Sequence, residues 1–77
     1  MNLELLKTFT ILYVEDEDAL MDDVYQNISP FVNEVITATD GLEGLKLYQQ
    51  NRNKLDLIIT DILMPNMTGL EMVDKIR

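Results

Sequence analysis

Leu57-Ile58-Ile59-Thr60-Asp61-Ile62-Leu63-Met64-Pro65-Asn66-Met67-Thr68-Gly69 is an apolar run that ends in one carboxylate and passes at once into a loop punctuated by Pro and Gly. A second run, Ile11-Leu12-Tyr13-Val14-Glu15-Asp16, has the same form, with two carboxylates at its end. Short continuous apolar runs of this kind suit buried parallel strands. Laid side by side, the two strands bring Glu15, Asp16 and Asp61 to one edge of a sheet. Three carboxylates in one place repel one another. The cluster holds only if a cation neutralises it or one acid is modified.

Outward from these two runs the chain alternates. Residues 10–14 read as a first strand. Asp18 is placed to cap a helix of about three turns, whose apolar stripe is Leu20, Val24 and Ile28 with Met21 beside it. Ser29-Pro30 ends that helix, because proline disfavours a helical predecessor. Residues 34–38 suit a short strand. Thr39-Asp40-Gly41 then turns into a second helix with Leu42, Leu45 and Tyr48 inward. Gly44 in that helix costs about 1 kcal/mol relative to Ala, which close packing on the sheet explains better than a ligand does. Residues 55–60 form the third strand, apolar enough to be buried on both faces. Gly69 opens a third helix with Leu70, Val73 and Ile76 inward. The first nine residues are mixed, with Leu3, Leu5 and Leu6 as candidate contacts for a neighbouring surface. The order β-α-β-α-β-α predicts an α/β fold with a parallel sheet and right-handed crossovers.

The 77 residues allow one domain at most, and 47% hydrophobic with 26% charged residues is ordinary for a globular chain. So short a chain buries a small core. It has no cysteine, so it has no disulfide and no thiol chemistry. A cytoplasmic location fits. No apolar stretch approaches the roughly 20 residues of a membrane helix, and the N-terminus lacks the pattern of a signal peptide. The net charge of −8 disfavours binding of nucleic acid through its phosphates. Neither a Gly-x-Gly-x-x-Gly run nor a P-loop follows the first strand, which argues against an α/β nucleotide-binding enzyme.

Several residues have plain structural readings. Glu17, Asp18, Asp22 and Asp23 are a solvated acidic helix start. Met64, Met67 and Met72 are core filler rather than soft ligands. Tyr13 and Tyr48 are core aromatics, Thr60 is a strand residue, and Pro65 and Gly69 shape a loop. An isolated Asp61 would be an ordinary turn residue; its setting is what marks it.

That setting resembles the receiver domain of two-component response regulators. The acidic pair Glu15-Asp16 after the first strand, Asp40-Gly41 before the second helix, and the pattern Asp-x-x-Met-Pro-x-Met-x-Gly from Asp61 to Gly69 carry the resemblance, which extends over nearly every residue from Thr10 onward. It implies a flavodoxin-like sheet of strand order 2-1-3. It implies that Asp61 accepts a phosphoryl group from a histidine kinase. Glu15 and Asp16 then hold Mg²⁺, with Asp61 and the backbone carbonyl of Leu63 as further oxygen donors. Hard oxygen ligands suit that ion. Glu15 stands where the family often has Asp. Such a chain is a substrate that assists its own phosphorylation, not an enzyme with separate turnover.

The resemblance also marks an absence. A complete flavodoxin-like sheet has five strands in the order 2-1-3-4-5. Residues 1–77 match a partial receiver domain that ends within the third helix, without strands 4 and 5 and without the family's Ser/Thr hydroxyl and Lys. Lys7, Lys46, Lys54 and Lys75 fall on segments that do not reach the strand ends. Met1, just ahead of the pattern, sets the receiver first. The third strand is then left with an open apolar edge, and open edges invite pairing. A homo-oligomer is expected, most simply a two-fold dimer through strand 3 or by exchanged elements. The competing expectation is a phosphorylation-incompetent fragment that only self-associates.

Overall fold

The computed structural model describes residues 3–60 and 69–76. The elements run α1 (Leu3–Leu6), β1 (Thr10–Val14), α2 (Asp18–Ile28), a 3-10 turn (Ser29–Phe31), β2 (Glu34–Ala38), α3 (Gly41–Asn51), β3 (Leu57–Thr60) and α4 (Gly69–Ile76). The three strands make one parallel sheet of order β2-β1-β3, the order the resemblance implies.

β1 is the central strand and every residue of it is buried, as strands paired on both sides and covered on both faces must be. Its side chains alternate between the faces. Leu12 and Val14 join Ala38 in the core, against Ile36, Leu45, Leu47, Tyr48, Leu55, Ile58 and Ile76. This layer lies beneath α3 and α4, which also pack on each other. Ile11 points to the other face, where it lines an apolar groove of about 310 Å³ with Leu6, Ile28, Phe31 and Val32.

The structure revises four sequence expectations. Leu42 is 56% exposed rather than inward. The buried stripe of α3 runs instead through Gly41 and Gly44, with Leu45 and Tyr48 beside them. Two glycines carry no hydrophobic signal, so the phase of the helix read from its leucines is rotated. Gly44 does lie buried, in keeping with close packing on the sheet. Asp18 does not cap α2; it is the first helical residue, and Glu17 holds the cap position with extended backbone and no side-chain cap bond. β3 begins at Leu57 rather than at residue 55 and is not buried on both faces. Leu57 is 45% exposed and Ile58, Ile59 and Thr60 are half-buried, because among the described residues β3 pairs on one side only. Leu20, expected inward, is 42% exposed, and no residue of α2 is fully buried.

Asp56 sets the start of β3. Its carboxylate Oδ2 accepts from the Thr10 amide at 2.8 Å, and its own amide donates to the Thr10 carbonyl at 2.9 Å. Two bonds to one residue of the central strand fix the register from which Ile11 lies beside Leu57 and Val14 beside Thr60. The inward positions expected for Leu70 and Val73 lie outside the described side chains, while Ile76 packs on the core as expected.

Candidate functional site

In a parallel sheet all strands run the same way, so their C-terminal ends share one edge. Here Val14 pairs with Ala38 on one side and with Thr60 on the other. The residue after Val14 is Glu15 and the residue after Thr60 is Asp61. Asp61 and Leu63 themselves lie outside the described residues, as does the loop carrying Met64 and Pro65.

Glu15 continues β1 by one more bond, its amide donating to the Ala38 carbonyl at 3.0 Å. It is only 5% exposed, which is unusual for an acid. A buried carboxylate must be satisfied, and Oε2 accepts from the Glu17 amide at 3.2 Å. Glu17 sits immediately before α2, so that N–H belongs to the group of helix-start donors left without a helical partner. It also lies at the positive end of the helix dipole. Asp16, one residue on, is exposed. The adjacent acids therefore differ: one is buried and anchored, the other open to solvent.

The neighbouring β2–α3 turn closes the edge. Asp40 caps α3, its Oδ1 accepting from the Glu43 amide at 2.7 Å. Glu43 reaches back with Oε1 to the Thr39 amide at 3.3 Å. This reciprocal pattern is close to a capping box, and it was readable in Asp40-x-x-Glu43. It gives Asp40 a structural task.

Among the described residues no three His, Cys, Asp or Glu side chains gather about one point. Glu15 and Asp16 bring two carboxylates to this edge, and the third acid of the expected set is the undescribed Asp61. The donors are hard oxygens, and one of them is buried, which fits a small divalent cation such as Mg²⁺. Lys54 stands at the opposite end of the sheet, where its Nζ pairs with Glu34 at 3.0 Å, so it cannot serve this edge. No helix among the described residues is long and apolar enough to cross a membrane.

The family profile described as "Response regulator receiver domain" matches residues 11–77. The chain belongs to this family. The receiver is 36% identical over 67 residues to the alkaline phosphatase synthesis transcriptional regulatory protein PhoP of Bacillus subtilis, covering 87% of this chain and 27% of that protein. Among solved structures, the N-terminal domain of an uncharacterized protein from Wolinella succinogenes is 43% identical with a TM-score of 0.83, over 88% of this chain and 53% of that one. A chain of the CheX–CheY–BeF3–Mg²⁺ complex from Borrelia burgdorferi is 27% identical with a TM-score of 0.84, over 99% of this chain and 57% of that one. The receiver thus spans little more than half the length of these solved relatives and about a quarter of PhoP. Its flavodoxin-like fold is theirs over the part that matches.

Proposed function

We propose that this receiver accepts a phosphoryl group on Asp61 from a histidine kinase in the cytoplasm. The observation that carries the reading is the register of β1 and β3: Val14 lies beside Thr60, so the acidic pair follows one strand where Asp61 follows its neighbour. A carboxylate oxygen of Asp61 attacks phosphorus, the P–N bond to the donor imidazole breaks, and the leaving nitrogen takes up a proton. The products are an acyl phosphate and a neutral imidazole. Glu15, Asp16, Asp61 and the Leu63 carbonyl are the groups that would hold Mg²⁺. When bound, that ion supplies positive charge where an anionic nucleophile meets an anionic donor. The chain is in this reading a substrate that assists its own modification and not a turnover enzyme. Its acidic surface takes no part in binding nucleic acid.

The test is intact mass after incubation with acetyl phosphate and Mg²⁺, for the parent chain and for Asp61→Asn. A gain of one phosphoryl group in the parent alone supports the reading. No gain in the parent opposes it.

A second reading rests on β3. Its half-exposed edge, with Leu57 45% exposed, favours pairing with a second copy, by edge-to-edge addition or by exchanged elements. In its extreme form the chain only self-associates and accepts no phosphoryl group. Light scattering across micromolar concentrations decides the association, and the mass measurement decides the chemistry.

A further inference from the structure

We propose that the backbone amide of Glu17 is a positioning group for the cation site, holding the Glu15 carboxylate in place through Oε2; this rests on the metal-assisted reading above. Three observations meet at this contact. Glu15 is 5% exposed, so its side chain has little room to reorient. Its Oε2 accepts from the Glu17 N–H at 3.2 Å, while Oε1 makes no hydrogen bond among the described residues. Glu17 has extended backbone at the cap position of α2, and its side chain makes no cap bond. The helix start is therefore anchored by the acid of the preceding turn rather than by its own cap residue.

The consequence is a division of labour between two adjacent acids. Glu15 commits one oxygen to the protein and keeps the other for a cation or a water bound to it. Asp16 is exposed and uncommitted by any bond to the described residues. A carboxylate that is already oriented loses less freedom when a cation binds, which raises affinity without any new contact. The helix start contributes twice, as a hydrogen-bond donor and as the end of α2 where negative charge is favoured.

The test removes the donor and leaves the side chains alone. Glu17 is replaced by its α-hydroxy analogue, so that an ester stands where the amide N–H was. Glu17→Ala, which keeps the N–H, is the control. Mg²⁺ binding is measured by calorimetry in the parent chain, in both variants, and in each again with Glu15→Ala. The ester should weaken Mg²⁺ about five-fold, close to the net worth of one hydrogen bond. Glu17→Ala should leave affinity unchanged, and the ester should have no further effect once Glu15 is Ala. An ester variant that binds as tightly as the parent overturns the proposal. So does one that loses affinity equally with and without Glu15, since that is general damage to the turn. If the parent itself binds no Mg²⁺ at millimolar concentration, the metal-assisted reading fails first and takes this inference with it.

Discussion

Glu15 and Asp16 are adjacent in sequence and opposite in environment, one buried and held by the Glu17 amide, the other exposed. Their identity as an acidic pair after a strand was legible in the sequence. Their difference was not, because it depends on where α2 begins, and the cap is Glu17 rather than Asp18. If Asp61 joins the pair, replacing it with Asn removes one member of a mutually repelling set. Asp61→Asn should then raise the melting temperature of the metal-free chain and reduce the further rise caused by Mg²⁺. A relief of about 1 kcal/mol corresponds to roughly 4–8 °C in a domain of this size. Thermal melts with and without Mg²⁺ check this, and a lower metal-free melting temperature for the variant means that the three acids do not converge.

At the scale of elements, β1 and β2 match the sequence reading residue for residue, since a central strand and a turn-bounded strand carry unambiguous apolar runs. β3 is two residues shorter than its apolar run suggests. Leu55 is apolar and packs on the core, but Asp56 turns its carboxylate and its amide onto Thr10, and a side chain that bonds in place of a strand neighbour is invisible to a hydropathy pattern. Asp56→Ala should cost about 1–2 kcal/mol, since the buried Thr10 amide loses the charged carboxylate to which it donates. Asp56→Asn, which keeps an acceptor, should cost less. Urea unfolding of the two variants measures the difference. α3 lies where the sequence puts it but is turned, because Gly41 and Gly44 occupy its closest approach to the sheet. A larger side chain at Gly44 is expected to destabilise by about 1–3 kcal/mol through overpacking, despite the gain in helix propensity. Leu42→Lys, at an exposed position, should leave stability within about 0.5 kcal/mol of the parent.

For the whole molecule, the two sheet faces are unequal. One carries α3 and α4 over a continuous core, whereas the other carries α2, whose residues are at most half-buried, beside the groove at Ile11 and Phe31. The sequence announced the parallel sheet, the family resemblance announced its order, and Glu15 and Asp16 follow β1 as its pattern of residues requires. The sequence overstated the burial of β3, because a hydropathy run does not report how many neighbours a strand has, and among the described residues β3 pairs on one side only. Leu57→Lys places a charge on that edge, a natural device against edge pairing. If the second reading holds, this change lowers the apparent mass in light scattering toward the monomer. A parent chain that is already monomeric rules that reading out.

In the proposed function the C-terminal edge of β1 and β3 is the phosphoryl-accepting site. Beryllofluoride with Mg²⁺, a mimic of an aspartyl phosphate, tests it by amide NMR. Shifts are expected to concentrate at Glu15, Asp16, Glu17 and Thr60 and to be abolished by Asp61→Asn, with Thr10 and Glu34 at the opposite end of the sheet unmoved. Shifts that spare the Glu15–Glu17 turn, or that persist in Asp61→Asn, would contradict it.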